Sequence, residues 1–167
     1  MKELLQQYAA YNIWANKILF ERISKLGDEE INKEIASSFP SLYKTVAHMW
    51  VAEDVWYQRL KLVEHIVPAP DNFTGSFAEL CNQLGKQSQV WKDWVDAATE
   101  TQLSHVFAYI RNKEQQKMPV YQMLLHLFNH ATYHRGQLVT MLRQLNADKI
   151  PATDFSAYCR TKKPVLV

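Results

Sequence analysis

Along four long stretches of the chain, apolar residues recur three and four positions apart, the period of helices that bury one face. Leu4, Leu5, Tyr8, Tyr11, Ala15, Ile18 and Leu19 trace the first stripe and predict a helix over residues 2–25, with Gly27 as its stop. Residues 28–34 fit one or two further helical turns, after which Ser37, Ser38 and Pro40 read as loop. Ser41 is a natural N-cap for a second long helix over residues 41–63, carrying Leu42, Val46, Met49, Val55, Trp56 and Leu60. Ser76 followed by Glu79 has the capping-box spacing and opens a third helix that ends near Ala98. Gly85 inside it points to close packing or a local irregularity, since Gly costs about 1 kcal/mol relative to Ala in a helix interior.

Between residues 103 and 118 the pattern changes. His105 to Ile110 is a short β-prone run and a polar, turn-like stretch follows, so a small hairpin or an extended lid-like loop is expected. Pro119 suits the first turn of a fourth long helix over residues 119–145, and Asn146 and Pro151 release the chain into a tail that packs over the bundle. The fold class this predicts is all-α, with four long helices in one bundle and a short hairpin or loop before the fourth.

Composition narrows the class. A length of 167 residues suits a single domain spanning 1–167, and 47% hydrophobic with 22% charged residues is the balance of an ordinary water-soluble protein. A formal charge of +2 is far below what steers a protein onto nucleic acid. Cys81 and Cys159 have no CxxC spacing, so reduced thiols are expected in place of a disulfide framework or a cysteine zinc site. The first twenty residues mix Lys, Glu, Gln and Asn into their apolar positions, which disfavours export or a membrane span and leaves the cytoplasm as the expected compartment.

The chemistry lies in the histidines. Three of the six fall in the fourth helix, as His126, His130 and His134. Residues four apart rotate by about 40° and rise by about 6 Å, so two such imidazoles can converge on one metal ion at about 2.1 Å. The HExxH spacing is present, but Ala131 follows His130, so the general base of zinc proteases is missing. No Glu-x-x-His occurs, which removes the ligand pattern of ferritin-like di-iron bundles. A third ligand must come from a facing helix, and His48 is the best placed, with Thr45 and Ala52 small enough to leave room beside its ring. His126 is open between fourth ligand, outer partner and core residue, while His65 and His105 sit near loops. Gln137 shares the His130 face and is read as a hydrogen-bonding neighbour at most. Gly136 would admit another helix closely, of this chain or of a second subunit, and Arg135 is expected in a surface or subunit salt bridge. Thr132 and Tyr133 are read as structural hydroxyls.

YNIWAN at 11–16, SLYKTVAHMWVAEDVW at 41–56, and LLHLFNHATYHRGQLVTMLRQL at 124–145 followed by PATDFSAY resemble the DinB-like (YfiT-like, DNA-damage-inducible) superfamily over nearly the whole chain. The resemblance implies a four-helix bundle with up-down-down-up connectivity, commonly a homodimer, holding one divalent metal on His48, His130 and His134. Zn²⁺ and Ni²⁺ are the expected ions for such a donor set. The superfamily includes bacillithiol S-transferases, a mycothiol-dependent isomerase and related metal-dependent hydrolases. Two functions are therefore carried forward: transfer of a low-molecular-weight thiol to a small-molecule electrophile, or hydrolysis, at a His₃ metal; and a non-catalytic, metal-stabilised stress-response binding protein.

Overall fold

The computed structural model describes residues 1–111 and 113–161. In chain order the elements are α1 (Lys2–Ile23), α2 (Asp28–Asn32), α3 (Leu42–Leu60), a 3₁₀ turn (Ala69–Asn72), α4 (Phe77–Ala97), α5 (Glu100–Ser104), β1 (Val106–Arg111), β2 (Glu114–Pro119), α6 (Val120–Gln144) and α7 (Phe155–Thr161). The four long helices fall where the apolar stripes place them, and local chemistry sets their ends. The Ser41 hydroxyl accepts from the Lys44 N–H at 3.0 Å, and Ser76 with Glu79 forms a complete capping box at the start of α4. α1 stops at Ile23, earlier than the stripe implies, and Ser24 closes it. Gly27 instead precedes α2, its N–H donating to the Glu30 carboxylate at 3.0 Å.

α1 packs against α4 and α6, and α3 packs against the same two helices. Two apolar clusters fill the interior. One joins Leu19 and Ile23 of α1, Leu42, Val46 and Met49 of α3, Leu80 and Leu84 of α4, and Leu138 and Leu142 of α6. The other joins Leu5 and Ala9, Trp56, Trp91 and Val95, and Met123, Leu124 and Leu127 of the same four helices. The end of α1 thus meets the starts of α3 and α4 and the end of α6, while its start meets their opposite ends.

Gly85 departs from the close packing or irregularity expected of it, and Gly136 meets no helix of its own chain. α4 runs unbroken through Gly85, and a Cβ built there meets nothing within 4 Å; the same is true of Gly136 in α6. Neither marks a close approach between helices of this chain. The 106–119 segment is an antiparallel hairpin with Val106 opposite Pro119 and Arg111 opposite Glu114, which makes the molecule mostly helical with a small sheet. Alternation explains it: Phe107 and Tyr109 are buried on the bundle, whereas Val106 and Ile110 face solvent. α7 lies on α1, where Phe155 and Tyr158 stack among Tyr8, Tyr11 and Trp14 and the Tyr11 hydroxyl donates to the Thr153 carbonyl at 2.6 Å. The remainder of the predicted tail, 162–167, lies outside the described residues. No helix among them is long and apolar enough to cross a membrane.

Candidate metal centre

Mid-way along α3 and α6, three imidazoles turn toward one point. His48 Nε2 lies 3.2 Å from His130 Nε2, and His134 Nε2 lies 3.0 Å from the same atom. Tetrahedral ligation at about 2.1 Å sets ligand nitrogens roughly 3.4 Å apart, close to this spacing. Among the described residues these three form the one group of three or more His, Cys, Asp or Glu side chains whose ligand atoms all come within 4.8 Å of one another. His130 and His134 meet because they are one helical turn apart; His48 meets them because α3 and α6 are neighbours.

The surroundings favour the neutral, ligating form of each ring. Burial, reinforced by the other histidines, pushes His130 and His48 down to about 4. Burial also lowers His134, with its hydrogen bond to Gln137 acting in the opposite direction. Gln137 Oε1 sits 2.7 Å from His134 Nδ1, so that nitrogen is the donor and the Nε2 lone pair is left facing the other two rings. Gln137 is in turn held by its amide, which donates to the Ser38 hydroxyl at 3.2 Å. Phe39 stacks on His48 with centroids 3.8 Å apart and meets His134 edge-on at 5.7 Å. Ser38 and Phe39 lie in a stretch whose sequence reads only as loop, and no spacing rule ties them to the histidines.

His126 approaches His130 with ring centroids 5.9 Å apart but stays outside the ligand group. His65 and His105 are exposed, as expected near loops. Tyr133 is 62% exposed beside His134, and Thr132 donates to the Phe128 carbonyl at 3.1 Å. A cavity of about 790 Å³ between α1 and α4 has none of the triad in its wall. Cys81 does line it, with burial pushing the thiol up to about 12, which leaves it protonated and a poor nucleophile.

Arg135 contradicts the expected surface or subunit salt bridge: it is 1% exposed. The turn that separates it from His134 directs it into the bundle, where it donates to Asn12 at 2.7 Å, Asn16 at 2.9 Å and Thr132 at 2.7 Å. Asn12 donates in turn to Glu53 at 3.0 Å, and the Ser88 hydroxyl lies 2.9 and 2.8 Å from the two Glu53 oxygens. Burial pushes Glu53 up to about 7 against these hydrogen bonds and the nearby Arg135 charge. This polar layer joins all four long helices between the two apolar clusters.

The DinB family model matches residues 1–164. Protein DinB of Bacillus subtilis (strain 168) is 29% identical over 163 residues, covering 89% of each chain. The fold is shared with a DinB-like protein from Bacillus cereus ATCC 10987, at a TM-score of 0.72 and 20% identity over 90% of this chain and 95% of that one. It is shared also with the DinB-like protein YjoA of Bacillus subtilis, at 0.66 and 16% identity over 89% and 97%. With the family's sequence pattern running from end to end and its fold recovered, the chain belongs to the DinB family.

Proposed function

We propose that this protein is a metal-dependent enzyme whose His48, His130 and His134 hold one divalent ion, Zn²⁺ or Ni²⁺, and that it transfers a low-molecular-weight thiol to a small-molecule electrophile or hydrolyses a related substrate. The observation that carries the reading is the convergence of three imidazoles on one point, with no fourth His, Cys, Asp or Glu ligand atom joining them among the described residues. A bound divalent ion supplies Lewis acidity, lowering the pKa of a thiol or water that joins its open position. The chain's own residues do the rest. Gln137 fixes the His134 tautomer, Phe39 covers one side of the site, and the α3–α6 packing sets the distance between ligands. The up-down-down-up sense of the bundle, supported by which helix ends share each apolar cluster, belongs to the same reading. So do a single 1–167 domain, a cytoplasmic location and a homodimeric state.

The rival function, a non-catalytic stress-response binding protein with the ion as a rivet between α3 and α6, calls for four enclosing protein ligands. The described residues offer three.

Metal content by mass spectrometry after reconstitution with Zn²⁺ or Ni²⁺ tests the site. About one ion per chain is expected for wild type and a clear loss for His48→Ala, His130→Ala and His134→Ala; equal binding by all four refutes the ligand set. Incubating the metal-loaded protein with bacillithiol, mycothiol or glutathione and a chlorinated aromatic electrophile then tests the reaction. Metal-dependent thiol consumption is expected, and its absence with all three thiols favours the rivet.

A further inference from the structure

Beyond the triad, both helices continue the same row. α3 carries Ala52, Trp56 and Arg59 after His48 at helical spacing, and α6 carries His126 one turn before His130. Contacts connect them stepwise: His126 lies 5.9 Å from His130, Trp56 meets His126 edge-on at 5.4 Å, and the Arg59 guanidinium sits 4.6 Å over the Trp56 ring. β1 closes the far end. Tyr109 meets Trp56 at 5.0 Å and lies 5.4 Å below the same guanidinium. Arg111, two residues further on, turns to the Tyr109 side of the hairpin.

Arg59 is positioned with care yet lacks a counterpart. Its Nε is buried without a hydrogen-bond acceptor, and neither Arg59 nor Arg111 forms an ion pair among the described residues. Burial lowers the Arg59 pKa, the Arg111 charge adds to that and Tyr109 opposes it. Two guanidiniums that repel one another beside an aromatic platform are stabilised by a shared anion. A depression of about 310 Å³ runs along Arg59, Tyr109 and the 62–66 segment, and although Glu64 lines it, that carboxylate makes no ion pair with the arginine.

We propose that Arg59 and Arg111 bind an oxyanion, a carboxylate or a phosphate, at one end of a substrate whose other end reaches the histidine triad along the α3–α6 row. The inference rests on the triad being a substrate-binding metal site, and it makes the pair a determinant of specificity with Trp56 and Tyr109 as its platform. Planar guanidinium over aromatic rings keeps the fork aimed, which a lysine in that place would not do.

The test measures binding, not turnover. Eleven residues of helix separate His48 from Arg59, a rise of about 16 Å, so a long thiol acid, 11-mercaptoundecanoic acid, and its neutral amide are titrated calorimetrically into the Zn²⁺-loaded protein, with inorganic phosphate as a competitor. Wild type is expected to bind the acid at least about tenfold more tightly than the amide. Arg59→Met, which keeps the packing on Trp56, and Arg111→Gln, at an exposed position, are expected to erase or reduce that preference. Arg59→Lys should restore part of it. His130→Ala is expected to weaken both probes alike and leave the preference in place. Equal affinity for acid and amide in wild type, or full preference retained in Arg59→Met, overturns the anchor. If instead the preference persists while His130→Ala changes neither affinity, the anchor stands and the metal reading falls. Displacement by phosphate at concentrations where acetate is silent assigns the anchor to phosphorylated substrates; parity assigns it to carboxylates.

Discussion

Replacing Glu53 by Gln should remove a pH dependence of stability that the wild-type fold carries. The carboxyl is buried and its pKa is raised from 4.5 to about 7, so the folded state holds its proton more tightly than the unfolded chain does. A group raised in this sense contributes stability that is fully present below the unfolded value and is lost as pH climbs through the folded one. At 1.36 kcal/mol per pH unit the displacement corresponds to about 3 kcal/mol. The hydrogen bonds explain why Gln is a fair mimic of the protonated form. Ser88 has one hydroxyl hydrogen but lies within 2.9 Å of both carboxyl oxygens, so an N–H or O–H on Glu53 satisfies the second contact. Urea denaturation of wild type and Glu53→Gln, followed by far-UV circular dichroism between pH 5 and 8.5, checks this. The variant should gain on wild type by about 2–3 kcal/mol across that range. A stability difference that stays flat with pH would mean that Glu53 is already ionised in the folded protein at pH 5, and the reasoning fails.

Three further outcomes are expected. Gly85→Ala should raise unfolding stability by about 1 kcal/mol in thermal or urea denaturation, because the added methyl meets nothing within 4 Å and helix entropy favours Ala. Ser76→Ala should lower it by about 1 kcal/mol by removing the α4 cap, read in the same denaturation series. Gln137→Leu should leave the fold intact by circular dichroism while weakening Zn²⁺ binding in a chelator competition by 10–100-fold, a loss on the order of that known for outer partners of ligating histidines.

The long helices were legible because each announces itself twice, in an apolar stripe and in a capping residue, as Ser41 and the Ser76 and Glu79 pair show. The histidine trio was legible as a candidate through the spacing of His130 and His134 and the position of His48 within its helix, and the structure groups the three rings. Less visible were groups whose partners are distant in sequence. Phe39 and Ser38 belong to a short connecting stretch with no periodicity, and only the fold sets them against His48 and Gln137. Arg135 was misread because a charged residue on a helix is exposed far more often than buried. The signal that could have corrected it was present: Asn12 and Asn16 interrupt the apolar face of α1, and Glu53 and Ser88 do the same on α3 and α4. Four polar residues on inward faces call for a common partner. The same reasoning misjudged Gly85, where a small residue invites a packing explanation that the chain itself does not provide.

The polar layer also has a mechanical effect on chemistry that lies outside it. Sliding α3 along its neighbours by a single turn, about 5.4 Å, would strand Glu53 away from Asn12 and Ser88 and leave a carboxyl, an amide and a hydroxyl without these partners. Leucine against leucine tolerates such a slip; carboxyl against amide does not. The layer therefore acts as an alignment pin, and because His48 rides on the same rigid rod about 1.4 turns from Glu53, fixing the pin also fixes the distance at which His48 faces α6.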